Sequence, residues 1–138
     1  MPDNAPTAKV WLRRARGSLT RARLYAGVEG TFYEDSCFDA QQGVEKALKA
    51  VLIHLGRSHP RTHAIADPIT IVEEAGAQVS NDLRQASRLT AYAVSARYPG
   101  VAEEVTEKEY REAVELSDRV VTWAEALIYS ADSSEGNP

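Results

Sequence analysis

Apolar residues recur every three or four positions along several long stretches of the chain, and no long stretch alternates apolar with polar residues. Over residues 7–29 this stripe consists of Trp11, Ala15, Leu19, Ala22 and Ala26. Such spacing places side chains on one face of an α-helix, whereas a half-buried strand requires a period of two. The sequence therefore predicts an all-α fold.

Turn residues divide the first half of the chain into separate helices. We expect Gly30 to end the first helix, because glycine readily adopts the left-handed conformation found there. A second helix is predicted to begin with Ser36 as its cap and to end at Gly56. Asp67 followed by Pro68 is typical of the start of a third helix.

The second half of the chain is expected to contain the rest of the third helix and two more. The third helix is predicted to end at Gly76, and the fourth to run from about Ser80 to the Arg97-Tyr98-Pro99-Gly100 segment. Thr106 and Glu109 form a capping-box pattern at the start of the last helix. We therefore predict an up-and-down bundle of about five helices over residues 7–130, with flexible tails at 1–6 and 131–138.

Composition excludes several kinds of protein. The 138 residues suit one domain, and Cys37 is the single cysteine, so neither a disulfide framework nor a cysteine metal cluster is expected. His54, His59 and His63 lack neighbours at ligand spacing, which predicts no metal site, and no motif indicates a cofactor. No apolar run is long enough to span a membrane, and the N-terminus lacks a signal peptide's apolar core, so we expect a cytoplasmic protein.

Charge is distributed unevenly along the chain. Between Asn4 and Val28 there are six basic residues and no acidic one, whereas between Glu103 and Glu125 there are eight acidic and three basic residues. Two interpretations remain open. The first and last helices attract each other inside one bundle, or the first helix presents a basic face to a phosphate-bearing partner.

The second helix carries an unusual polar side opposite its apolar stripe. Gln42, Glu45, Lys46 and Lys49 cluster there on the helical wheel, together with the apolar residues Phe38 and Ile53. A simple solvated face remains one interpretation. The apolar pair instead favours partial burial under a ligand or against a second copy of the chain, and we therefore predict a homodimer.

The segment FDAQQGVEKALKAVL (38–52) resembles the signature of HEPN domains. Trp11-Leu12 in the first helix, the loop residues Pro60, Thr62 and His63, and the segment ARYPG (96–100) support the resemblance at the expected places. The resemblance implies an up-and-down helical bundle that forms homodimers. It also implies a minimal nucleotidyltransferase as the partner in a toxin–antitoxin-type pair. Many such domains are RNA-cleaving toxins that use an Arg-x4–6-His motif.

This chain departs from that ribonuclease motif, because no histidine follows Arg97. Arg57 and His63 match Arg-x5-His, but they lie in the loop before the third helix. We therefore assign no catalytic residue and interpret the chain as a binding module for a nucleotide, an RNA or a nucleotidyltransferase. The predicted ligand-binding residues are Gln42, Lys46, Lys49, His63, Arg97 and Tyr98. The alternatives are an RNA-cleaving toxin in which His63 acts with Arg97, and a purely structural interaction domain.

Overall fold

The computed structural model of the protein describes residues 6–95 and 104–135, and this part contains helices and no strands. The helices are α1 (Ala8–Leu24), α2 (Tyr33–His54), α3 (Ala66–Glu74), α4 (Asn81–Arg84), α5 (Tyr92–Ser95) and α6 (Glu107–Glu135), and a 3-10 segment (Gln85–Ala91) joins α4 to α5. The prediction of an all-α helical bundle is confirmed. No helix in these ranges is long and apolar enough to cross a membrane.

The three long helices lie side by side, with α2 in contact with both α1 and α6. Residues near the start of α1 face the end of α2, because Lys49 lies over the Trp11 ring, while Arg21 near the end of α1 faces Asp39. These two helices are therefore antiparallel. The short segments α3 to α5 return the chain, so that α6 runs in the same direction as α2.

The core is formed mainly by the predicted apolar stripe of α2. Cys37, Ala40, Val44, Leu48 and Val51 are each at most 1% exposed, and the partner side chains come from every other long helix. Burial of this many aliphatic side chains is the main favourable term for folding. The stripe predicted for α1 is confirmed as well at Ala15, Leu19 and Ala22, all fully buried.

Three helices meet closely at Gly43. A Cβ atom at this position would lie 2.9 Å from Ser117 Oγ of α6 and 3.3 Å from the Ala15 carbonyl oxygen of α1. Only a residue without a side chain permits this approach without a shift of its neighbours. The Ser117 hydroxyl is fully buried and has no hydrogen-bond partner among the described residues.

Basic side chains of the first helix form ion pairs with acidic side chains of the last helix. Arg16 donates hydrogen bonds to Asp118 (3.0 Å) and Glu125 of α6, and Arg23 lies 3.8 Å from Asp118. The hydrogen bond to Glu125 is the main cause that raises the pKa of the Arg16 guanidinium. The predicted attraction between the two helices is thereby confirmed for these side chains.

Several predicted helix ends are wrong by two to five residues. The first helix ends at Leu24 instead of near Glu29, because Gly27 already adopts a positive φ of 78°. The second begins at Tyr33, so Ser36 is a buried residue inside it and not its cap. The third begins at Ala66, which places Asp67 within its first turn.

Other predicted helix ends are confirmed. Gly56 has a φ of 71°, and the amides of Gly56 and Arg57 donate to the carbonyls of Ile53 and Leu52. This is the Schellman arrangement that ends a helix. Gly76, with a φ of 97°, follows the end of α3 in a similar way.

The predicted fourth helix is divided by the 3-10 segment. Leu83, Ala86, Leu89 and Tyr92 recur at a regular spacing of three. Three residues per turn keep such a row on one face, whereas an α-helix would rotate it away from the core by about 60° at each step. Leu83, Ala86 and Leu89 are buried in the structure, which explains why this stretch departs from α-helical geometry.

Candidate functional site

An open groove lies between α1, the polar side of α2 and the loop that follows α2. It holds about 1060 Å³ of space, including the solvent in its wide mouth, which is enough for a nucleoside phosphate. Its lining consists of Trp11, Gln42, Glu45, Lys46, Lys49, His59, Pro60, Arg61, Thr62 and His63. The structure thus brings together four of the six predicted ligand-binding residues.

Lys46 is held at the edge of the groove by α1. Its Nζ donates a hydrogen bond of 2.7 Å to Oγ of Ser18, which is 6% exposed. Partial burial lowers the pKa of the Lys46 ammonium, the nearby Arg14 and Arg21 lower it further, and Asp39 opposes this change. The ammonium group is therefore fixed in position, with Arg14 and Arg21 as well as the carboxylates of Asp39 and Glu45 nearby.

Lys49 lies at a different point in the groove. Its Nζ is 5.2 Å from the centroid of the Trp11 ring, a distance at which an ammonium is attracted to an aromatic face. Trp11 and Ser18 are seven residues apart on α1, which corresponds to about 10 Å along the helix. In this conformation Lys46 and Lys49 therefore do not converge on one anion, although both line the same groove.

His63 enters the groove from the loop and faces an acidic residue of α2. Its Nδ1 is 3.5 Å from Glu45 Oε1, and the histidine side chain is 66% exposed. Glu45 Oε2 also accepts a hydrogen bond of 3.3 Å from the side-chain amide of Gln42, which donates in addition to Gln41 Oε1 at 2.9 Å. A chain of polar side chains thus leads from the buried Gln41 to the exposed His63.

Local hydrogen bonds set the shape of the loop wall. The amide of Thr62 donates to the Pro60 carbonyl at 3.0 Å, and Thr62 Oγ1 accepts from the amide of Ala64. At the end of the loop, the amide of Ile65 donates to Thr90 Oγ1 at 3.1 Å. This last bond connects the groove wall to the 3-10 segment.

The other predicted site residues have different outcomes. Arg97 and Tyr98 lie outside the described residues. Phe38 is half-buried and Ile53 is 37% exposed, so this apolar pair is not fully covered within one chain. Cys37 is fully buried, and burial raises the pKa of its thiol to about 12.

Two residues of the groove do not stand out in the sequence. Periodicity places Trp11 in the core stripe of α1, yet it is only half-buried and its ring forms one wall. Nothing in the sequence distinguishes Arg61 from its loop neighbours, although it lines the groove from the loop side. Within the described ranges, no three His, Cys, Asp or Glu side chains lie close enough to hold a metal ion.

These features define a small helical bundle with a cation-lined groove beside its second helix. The chain belongs to the HEPN family, since the HEPN domain model matches residues 8–127. A search of curated protein sequences gives no significant match.

Two solved structures are similar to this chain. One is TT1696 from Thermus thermophilus, which is 30% identical, with a TM-score of 0.75 over 86% of this chain and 95% of that one. The other is ST0689, an archaeal HEPN homologue, which is 26% identical, with a TM-score of 0.67 over 90% of this chain and 99% of that one. The similarity therefore extends over nearly the whole fold.

Proposed function

We propose that this chain is a HEPN-type binding module that holds a nucleoside phosphate in the groove between α1, α2 and the 57–65 loop. The observation that supports this function is the combination of two ammonium groups, Lys46 and Lys49, with the ring of Trp11 in one open groove. Cations attract phosphate, and an aromatic face is a platform on which a base stacks.

The contacts of the groove suggest how each group would act. Lys46 is already positioned by Ser18 and would meet a phosphate without reorganisation. Lys49 would leave the Trp11 ring for a phosphate oxygen, which would open the ring to a base. His63 would donate a hydrogen bond to the ligand, and Gln42 would donate one in exchange for its bond to Glu45.

Calorimetry tests this function directly. We expect ATP, GTP and AMP to bind with modest affinity, and binding to weaken as salt rises because exposed charges are screened. Lys49→Ala should weaken binding by about 1–2 kcal/mol, the typical loss of a charge-assisted hydrogen bond. Lys108→Ala is the matched control, because Lys108 is an exposed lysine on α6 that does not line the groove. Absence of binding by all three nucleotides would contradict the proposal.

The module is proposed to act as a homodimer. Phe38 and Ile53 remain partly uncovered on the polar side of α2, and membership of the HEPN family supports self-association. Light scattering at micromolar concentration should give twice the chain mass of 15.1 kDa. A monomer mass would contradict this part of the proposal.

The proposed protein partner is a minimal nucleotidyltransferase, and family membership is what supports it. Co-expression with a nucleotidyltransferase encoded beside this chain should yield a complex that survives gel filtration. Separate elution of the two proteins would contradict this partner.

A ribonuclease is the second candidate function, because His63 and Glu45 lie 3.5 Å apart in the groove. A carboxylate beside one ring nitrogen leaves the other nitrogen available as a general base, as RNA cleavage requires. Incubation with labelled RNA in the absence of divalent metal distinguishes the two functions. Cleavage that disappears in His63→Ala would favour the ribonuclease, whereas intact RNA would favour the binding module.

A further inference from the structure

A row of cationic side chains continues from the groove along the line where α1 meets α2. Arg14, Ser18 and Arg21 are spaced by four and three residues and therefore share one face of α1. Lys46 of α2 reaches this face and donates to Ser18 Oγ, between the two arginines. With Lys49 at the groove end, these four side chains form what we call the cation row: Lys49, Arg14, Lys46 and Arg21.

The cation row retains positive charge for a ligand. Arg14 is exposed, and within the described part of the chain its side chain takes part in no hydrogen bond or ion pair. Two carboxylates lie beside the row. Asp39 is 3.7 Å from Arg21 with its side chain 19% exposed, and Glu45 acts on Lys46 and lines the groove. Partial burial raises the pKa of Asp39, and the nearby Arg21 and Lys46 oppose this change. Two carboxylates, Asp39 and Glu45, therefore face four cations, and the row keeps a net positive charge.

The length of the row exceeds that of one nucleotide. Trp11 and Arg21 are ten residues apart on α1, or about 15 Å along the helix. A stacked strand carries a phosphate roughly every 3.4 Å, so this length corresponds to about four or five phosphates, and to fewer in an extended strand. A mononucleotide in the groove would leave Arg14 and Arg21 without a phosphate.

We infer that the ligand is a single-stranded oligonucleotide whose backbone follows the cation row and whose terminal base lies against Trp11. This inference rests on the proposed function and adds Arg14 and Arg21 as a second phosphate-binding region outside the groove. A single strand is expected because its bases are unpaired and free to stack on an aromatic ring, whereas a duplex exposes only the faces of its end pairs.

Calorimetry with oligoadenylates tests the inference. We expect affinity to increase from AMP to the tetranucleotide and then to change little at the octanucleotide. For the tetranucleotide, the logarithm of affinity should fall against the logarithm of salt concentration with a slope of about −2 to −3, the value for three or four phosphates on a single strand. AMP should give a shallower slope.

Variants separate the two regions. Arg14→Ala and Arg21→Ala should each weaken tetranucleotide binding about threefold to tenfold, while AMP binding stays within about twofold of wild type. Both arginines are exposed, so these changes should leave the fold intact. Lys49→Ala should weaken binding of both ligands, and Lys108→Ala of neither.

Several outcomes would overturn the inference. If the tetranucleotide binds no more tightly than AMP, the inference fails while the proposed function stands, and if neither binds, both fail. An abasic tetramer or inorganic polyphosphate that binds as tightly as the tetranucleotide would show that no base is recognised. Equal affinity for a duplex would exclude the single-stranded mode.

Discussion

Gly43 and Ser117 allow a quantitative test of how closely the three long helices pack. In Gly43→Ala the new methyl group would lie 2.9 Å from Ser117 Oγ and 3.3 Å from the Ala15 carbonyl oxygen. The serine is fully buried, and the carbonyl belongs to the α1 backbone, so neither atom can move away freely. The same hydroxyl has no hydrogen-bond partner in the described part of the chain, which makes Ser117→Ala the informative second change.

The expected free energies follow from two opposing effects. Alanine is better than glycine inside a helix by about 1 kcal/mol. Overpacking costs about 1–3 kcal/mol. Gly43→Ala should therefore lower the free energy of unfolding by about 1 kcal/mol. Ser117→Ala should raise it by about 1 kcal/mol, because an unsatisfied buried hydroxyl is removed.

The double variant should be more stable than the sum of the single changes predicts. With the hydroxyl absent, the tightest contact of the methyl group is removed and the Ala15 carbonyl oxygen at 3.3 Å becomes its closest remaining contact, so a coupling energy of about 1–2 kcal/mol is expected. Urea unfolding of the wild type, the two single variants and the double variant measures this coupling energy, provided that the four proteins have the same m-value. The reasoning would be refuted if Gly43→Ala alone were stabilising, or if the two changes were simply additive.

Two further predictions concern single side chains. Thr106→Ala should lower stability by about 1 kcal/mol in urea unfolding, whereas Thr106→Ser should not, because Thr106 Oγ1 accepts from the Glu109 amide at 3.1 Å. Burial raises the pKa values of Cys37 and Tyr92 to about 12 each, so the folded protein keeps protons that the unfolded chain loses. The free energy of unfolding should accordingly fall as the pH rises from about 9 to 12. In Cys37→Ala it should fall less steeply with pH. An unchanged slope in this variant would contradict the raised pKa of Cys37.

The fold was largely predictable because its strongest signal is periodic. The buried stripe of α2 follows from many positions at helical spacing, and an error at one position does not alter the face. Helix ends depend on single residues, so more than one position can satisfy the sequence pattern of a helix end. Ser36 satisfied the pattern of a cap, but α2 begins at Tyr33 with the acidic Glu34 and Asp35 in its first turn, so Ser36 is buried inside the helix.

The candidate site was predictable only in part. Gln42, Lys46 and Lys49 share one side of a helix, so their proximity follows from the sequence alone. The position of Trp11 in the groove depends on how the start of α1 packs against α2. Helical periodicity within one helix does not predict this packing. The contact between Lys46 and Ser18 likewise joins residues 28 positions apart, and it determines where the ammonium group lies.

The 3-10 geometry of Gln85–Ala91 also determines how far the chain extends between α4 and α5. Seven residues rise about 14 Å at 2.0 Å each, compared with about 10.5 Å in an α-helix, so the segment contains about 3.5 Å of extra length. Thr90 belongs to this segment and holds the amide of Ile65. If the segment rewound to α-helical geometry, it would shorten by this length. The hydrogen bond between Thr90 and Ile65 would then displace the loop that carries His63.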